Sequence, residues 1–251
     1  MSSVEVELAD GIGLVALNRP ERLNAVDPEL VEQLVAALEA VTQAGVGAVV
    51  LFGNGRAFCA GHDLKAPPPD PATLAARLQS IQDVTRRIRA CPAPVIAAVH
   101  GHAVGAGAEF ALGCDLVLAA EGTRFRFPEV GLGLSATGGL STLLPLLVGP
   151  LKAKELVLFG DAVEVAETAR LGLVNAVLPA AELLPTARRW AARLAALPRL
   201  PTAMAKRALD AGADRAVAAA LDLEVEQAIG IEESGAGATA EVLASRARAV
   251  G

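Results

Sequence analysis

The chain reads as one α/β domain with a helical C-terminal region, on three observations. The short runs Ala48-Val49-Val50-Leu51-Phe52 and Val95-Ile96-Ala97-Ala98-Val99 are wholly apolar, as strands buried on both faces are. Strand-like runs alternate with glycine turns and helically spaced segments, the order that builds a sheet covered by helices and puts function on the loops at strand ends. From about Val163 onward helical spacing dominates, over 163–171, 183–197, 201–212 and 215–229. The division follows: a core over 1–195 and a C-terminal helical region over 196–251.

Each element has its own reason. Gly13-Leu14-Val15-Ala16-Leu17 is expected to be a strand, and Asn18 to Asn24 a polar turn stopped by Pro20. A helix then starts with Asp27 as cap and Pro28 in its first position, with Leu30, Leu34, Ala37, Leu38 and Val41 on one face. The buried run 48–52 ends at Gly53-Asn54-Gly55. Pro67-Pro68-Pro69-Asp70-Pro71 makes a stiff connection, after which 72–90 has helical spacing until Pro92 and Pro94 end it. The strand 95–99 leads to a glycine turn over 101–107, a helix over 108–114 and a strand over 116–119. The helices 201–212 and 215–229 are too apolar for a lone surface hairpin, and either cap the core or pack on a neighbouring subunit. The small residues 234–238 are expected to order poorly.

Composition excludes several classes of function. The 251 residues, 53% of them hydrophobic, suffice for one large core. No apolar run reaches the roughly 18 to 20 residues of a membrane-crossing helix. Met1 to Glu7 alternates polar and apolar residues and carries acids, unlike a secretory signal, and is read as mature structure. Cys59, Cys91 and Cys114 are scattered and lack CxxC spacing, so neither a disulfide framework nor a zinc site is expected, and a reducing cytoplasm fits. At a net charge of −6, with Arg86-Arg87-Ile88-Arg89 as the densest basic cluster, no nucleic-acid partner is expected. That cluster reads as a solvated helix face, or as a contact for the phosphates of a small ligand. Aromatic content of 3%, without Tyr, gives no stacking platform for single strands.

Two segments carry the chemistry. Ala57-Phe58-Cys59-Ala60-Gly61-His62-Asp63-Leu64 and Gly101 to Glu109 each place small residues where an apolar run ends, with an acid shortly after. Such segments expose backbone N–H groups, and two of them converging on one oxygen form an oxyanion hole. Glu109 follows Gly105-Ala106-Gly107-Ala108, which puts its carboxylate near the positive end of a helix. Glu129 follows Phe125-Arg126-Phe127-Pro128, apolar company that raises a carboxyl pKa by desolvation. Two carboxylates in different environments can divide acid and base roles. Competing motifs carry less. Gly131-Leu132-Gly133-Leu134-Ser135-Ala136 fits a relaxed dinucleotide pattern without the strand it needs, and Ser135 and Ser141 make no GxSxG elbow. His100 and His102, with only His62 besides, point to turn hydrogen bonding rather than a metal. Cys59 has no base placed beside it and reads as a packing residue.

Taken together these residues resemble the enoyl-CoA hydratase/isomerase family, the crotonase superfamily. The matching segments are Leu17-Asn18-Arg19-Pro20 to Asn24-Ala25, Gly55 to Leu64, Pro94 to Glu109 with Cys114-Asp115, and Phe127-Pro128-Glu129 to Gly138-Gly139. Gly160-Asp161 and Ala169 to Asn175 continue the match, in the family's order, over nearly the whole chain. The resemblance implies a spiral of repeated ββα units, assembly as a homotrimer or dimer of trimers, and an acyl-CoA thioester as substrate, with coenzyme A part of that substrate and no other cofactor or metal. By motif position the backbone N–H groups of His62 and Ala106 hold the thioester oxygen, the His62 imidazole being incidental. Arg22, Leu23, Ala60, Asp63, Leu64 and Lys65 fall where relatives touch the CoA adenine and pantetheine.

Glu109 and Glu129 match both carboxylate positions of the hydratase branch, which implies reversible addition of water to a 2-enoyl-CoA. Glu109 then orients and deprotonates water while Glu129 exchanges a proton with the α-carbon. Alternatives are a Δ3-Δ2 enoyl-CoA isomerase or another acyl-CoA enzyme of this fold using Glu129 alone, and a non-catalytic acyl-CoA-binding subunit. Two departures from relatives stand out: the Gly133–Gly139 turn lacks their usual proline and is one residue shorter, and the chain end lacks their aromatic and Lys pattern.

Overall fold

The computed structural model describes residues 2–63 and 71–234. Strands β1 (Val4–Ala9) and β2 (Ile12–Leu17) form a hairpin, and a 3-10 turn at Pro20–Arg22 leads to α1 (Pro28–Gln43). Asp27 caps α1 by accepting the Leu30 N–H at 2.9 Å, and the expected face of Leu30, Leu34, Ala37, Leu38 and Val41 is buried. Then come β3 (Ala48–Gly53), α2 (Pro71–Ala90), β4 (Val95–Val99), β5 (His102–Val104) and α3 (Ala106–Leu112). The pattern repeats as β6 (Leu116–Ala120), β7 (Arg124–Arg126) and α4 (Glu129–Leu132). The chain continues through α5 (Leu140–Val148), α6 (Pro150–Phe159), β8 (Val163–Glu164), α7 (Val165–Arg170), β9 (Ala176–Leu178), α8 (Ala180–Ala195) and α9 (Arg199–Glu233).

The first strand of each repeat joins a six-stranded sheet of order β1-β2-β3-β4-β6-β9, parallel throughout except for β1 against β2. The second strand joins a small sheet, β5-β7-β8. Cys59 bridges Ala103 in parallel and so stands in that small sheet for the turn begun by β3. Three successive turns of a ββα spiral result.

Alternation along the central strands explains why they are apolar throughout. Val49, Leu51, Val95, Ala97, Val99, Val117 and Ala119 enter the main core with α1, α2 and α3, whereas Val50, Ile96, Ala98 and Leu118 meet Leu183, Ala187 and Ala191 of α8.

Three expectations need correction. The turn expected over 101–107 contains β5, because Ala103 pairs with Phe125 on one side and Cys59 on the other, and α3 begins at Ala106. The segment expected as a helix over 163–171 begins as strand β8, paired antiparallel to β7. The two C-terminal helices are one helix of 35 residues, α9. Gly212, the last residue of the first expected helix, has open space around it, and an interior glycine costs a helix only about 1 kcal/mol. Arg89 of α2 pairs with both Asp210 at 3.4 Å and Asp214 at 2.7 Å, holding the turns on either side of that glycine together. The stretch 235–238 lies outside the described residues.

Candidate active site

The loop after β3 is clamped by Asn24. Its Nδ2 donates to the carbonyls of Asn54 (2.9 Å), Ala57 (2.8 Å) and Phe58 (3.1 Å), and its Oδ1 accepts the Arg19 N–H. Leu23 and Asn24 both adopt left-handed backbone, at φ +52° and +55°. Such a pair is held only where surroundings over-determine it, as the buried Asn24 amide does here. The Leu23 carbonyl then accepts the Ala60 N–H at 3.0 Å.

Gly61, at φ +82°, lets the chain pass against β5: a Cβ there would sit 2.6 Å from the Val104 carbonyl oxygen. Past it, Val26 takes both neighbouring bonds, donating to the Gly61 carbonyl at 2.7 Å and accepting the Asp63 N–H at 2.9 Å. The His62 N–H is left with no hydrogen-bond acceptor among the described residues.

The start of α3 meets this loop directly. A Cβ on Gly107 would lie 2.4 Å from the Cys59 carbonyl oxygen. The first hydrogen bond of α3 runs from the Glu109 N–H to the Gly105 carbonyl, so the Ala106 N–H precedes the ladder and has no helical acceptor. The two segments singled out by sequence therefore converge, each bringing an unbonded amide.

Glu109 lies in the first turn of α3 and is 1% exposed, and Glu129 opens α4 and is 5% exposed. A Cβ on Gly105 would be 2.8 Å from Glu129 Oε1, so this carboxylate abuts the residue preceding Ala106. Glu129 Oε2 is buried without a hydrogen-bond partner among the described residues. Glu109 is held at both oxygens by Thr137, the N–H donating to Oε1 at 2.8 Å and the hydroxyl to Oε2 at 2.5 Å. Burial raises both carboxyl pKa values well above the ordinary range, and the charge of Glu129 raises Glu109 further against the lowering effect of Thr137. The pair therefore resists full ionisation near neutral pH.

The other predicted residues divide. Arg22 is exposed, and Leu23 and Ala60 sit together beside Gly61. Asp63 instead turns toward Arg19, which also pairs with Asp27 at 2.8 Å and donates to the Ala25 carbonyl. Leu64 and Lys65 lie outside the described residues. The His62 imidazole, pushed down to about 4 by burial and by the charge of Arg77, is uncharged at neutral pH. The Cys59 thiol is buried and pushed up to about 12, as befits a packing residue. His100 Nε2 lies 3.0 Å from the Gly55 carbonyl oxygen, a turn hydrogen bond.

Sequence reasoning missed Thr137, Gln82 and Glu224. Thr137 lies in the turn flagged as lacking a proline, and a hydroxyl beside two glycines was the available signal. Gln82 and Glu224 carry no local signal, since only the packing of α2 and α9 brings them to this turn.

A spiral of ββα turns with a helical C-terminal region is the fold of the crotonase superfamily. The enoyl-CoA hydratase/isomerase family profile matches residues 7–233. The chain is 35% identical over 223 residues to a probable enoyl-CoA hydratase of Rhodobacter capsulatus, covering 88% of this chain and 86% of that protein. Against the crotonyl-CoA hydratase of Syntrophomonas wolfei it is 34% identical over 227 residues, covering 89% and 87%. The crystal structure of an enoyl-CoA hydratase from Mycobacterium avium subsp. paratuberculosis matches with a TM-score of 0.85 at 31% identity, covering 92% of this chain and 94% of that one. The protein belongs to the enoyl-CoA hydratase/isomerase family.

Proposed function

We propose that the protein adds water reversibly across the double bond of a 2-enoyl-CoA thioester. One observation carries this reading: two buried carboxylates with raised pKa values flank two backbone amides that have no acceptor of their own. The N–H groups of His62 and Ala106 hold the thioester oxygen and stabilise the negative charge that develops there as water adds to the β-carbon. One such donor is worth about 10²- to 10³-fold in kcat. Glu109, held at both oxygens by Thr137, takes the proton of the attacking water. Glu129 delivers a proton to the α-carbon and binds the same water through its unpartnered oxygen. A pair that keeps one proton between them near neutral pH suits this exchange in both directions.

Exposed Arg22 and half-buried Leu23 and Ala60 contact the CoA moiety, and the resemblance assigns Leu64 and Lys65 to the same role, while Asp63 supports the loop through Arg19. Water addition on this reading needs no metal or further cofactor, and a chelator leaves the rate unchanged. The apolar side chains left in solvent on α5 and α6, among them Leu146, Leu151 and Phe159, support assembly as a homotrimer or dimer of trimers. None of the described helices is long and apolar enough to cross a membrane, and the free cysteines suit the cytoplasm.

The test is the change in conjugated-thioester absorbance with a short panel of 2-enoyl- and 3-enoyl-CoAs, lost from a 2-enoyl-CoA on hydration and gained from a 3-enoyl-CoA on isomerisation. Glu109→Gln and Glu129→Gln should each lose at least about a hundredfold in kcat. Retention of turnover in Glu109→Gln with loss in Glu129→Gln would mark an isomerase instead, and a flat trace with every substrate would leave only acyl-CoA binding.

A further inference from the structure

In the turn that holds Glu109, the Thr137 hydroxyl is taken up by Glu109 itself, and Gly138 and Gly139 have no side chains with which to hold the turn. Gly138 and Gly139 are successive left-handed residues, at φ +68° and +74°, and a Cβ on Gly138 would come within 2.8 Å of the Glu109 Cβ. The turn is gripped from outside by two helices. Glu224 of α9 is 1% exposed, and its Oε2 accepts the Gly139 N–H at 2.8 Å and Gln82 Nε2 at 3.1 Å. Its Oε1 accepts the Ser141 N–H at 2.9 Å and the Ser141 hydroxyl at 2.7 Å. Gln82 of α2, also buried, accepts the Gly138 N–H at 2.5 Å through Oε1 and donates to the Leu221 carbonyl at 2.9 Å. Thr85, one turn further along α2, donates to the Gly138 carbonyl at 3.0 Å.

Three of the four groups facing Glu224, the N–H groups of Gly139, Ser141 and Gln82, can only donate, and at least one of them meets each oxygen, which suits a carboxylate better than an amide. An amide in its place would turn an N–H toward another N–H. The arrangement also exceeds what capping α5 requires, because Gln82 carries the grip on to Gly138, the residue packed on Glu109.

We propose that Glu224, with Gln82 as its partner, is a positioning residue for Glu109 and acts through the Thr137–Gly139 turn. The inference rests on the hydratase reading for its kinetic consequence. Small misplacements of a reacting group are costly, up to about a hundredfold for 1 Å. Glu224→Gln should therefore lower kcat by about 10- to 100-fold and leave KM within about twofold, since the residues assigned to CoA lie elsewhere.

A double-mutant cycle with Thr137→Val separates positioning from support of the fold, each protein being assayed at its own pH optimum. If Glu224 works through Thr137, its substitution costs less than about threefold once the Thr137 hydroxyl is gone. An unchanged kcat in Glu224→Gln, or the same fold-loss in both backgrounds, overturns the proposal and leaves Glu224 as a cap of α5. Should Glu224→Gln fail to fold, Gln82→Met takes its place in the same cycle. A wild type inert toward every 2-enoyl-CoA defeats the hydratase reading alone. The grip is then judged by hydrogen exchange of the Thr137 amide, which should speed at least about tenfold relative to that of Leu51 in β3. Equal protection in the variant refutes it.

Discussion

Thr137→Val removes one atom's worth of chemistry from the site and almost none of its shape. The side chain is buried, the replacement is nearly isosteric, and the Thr137 N–H still donates to Glu109 Oε1. What is lost is the hydroxyl bond to Glu109 Oε2. A hydrogen bond to a charged group contributes about 1.5–3 kcal/mol. At about 1.36 kcal/mol for each pH unit, the ionised form of Glu109 loses the equivalent of roughly 1–2 pH units. The sign is upward, because the bond favours the charged form and its removal favours the proton. The acidic limb of the kcat profile for a 2-enoyl-CoA should thus move up by about 1–2 pH units. Near pH 7 the variant should be about tenfold or more slower, and above about pH 9 much of the loss should return. The assay is thioester absorbance followed across about pH 5 to 10. A limb that stays in place, or a loss equal at every pH, would show that Glu109 is not the base or that Thr137 does not tune it.

Three further outcomes follow from the same coordinates. An unfolded glutamate titrates near 4.5, and both Glu109 and Glu129 are raised in the fold, so the native chain binds protons that the unfolded chain has released. Stability should therefore fall as pH rises from that value through neutrality, and Glu129→Gln should flatten the decline in urea midpoint between about pH 6 and 9; a steeper decline contradicts the assignment. Gly107→Ala forces a Cβ into the Cys59 carbonyl and should cost about 1–3 kcal/mol in denaturant unfolding while lowering kcat, whereas unchanged values for both would mean that the two oxyanion segments do not touch. Gly212→Ala meets open space inside α9 and should stabilise the protein by about 0.5–1 kcal/mol, seen as a higher melting temperature; destabilisation would argue for a bend at that residue.

The readable part of this protein was local. Asp27-Pro28 marked the start of α1 because a cap and a fixed φ act within a few residues, and the runs 48–52 and 95–99 marked central strands because burial on both faces admits nothing polar. Glu109 and Glu129 stood out because glycine and aromatic neighbours set their environments from close by in sequence. What escaped depends on distant partners. β5 is a three-residue strand among glycines, made by pairing with Phe125 and Cys59 rather than by its own propensity. α9 runs unbroken across Gly212, and the partner that spans that glycine, Arg89 of α2, lies more than a hundred residues away in sequence. Glu224 carries no local mark in a helix expected to pack on the core or on a neighbour, and only the docking of α9 on α2 and α5 turns it toward the Gly138–Gly139 turn.

That docking has a consequence in time. A ribosome releases the chain from its N-terminus, so Cys59, Ala106, Glu109, Glu129 and Thr137 are all synthesised well before Glu224. The central strands can pair while the turn at Gly138–Gly139 still lacks its outer carboxylate. On the positioning role proposed for Glu224, alignment of Glu109 waits until α9 has been made and docked, and a chain interrupted before Glu224 keeps its acids but not the part that aligns them.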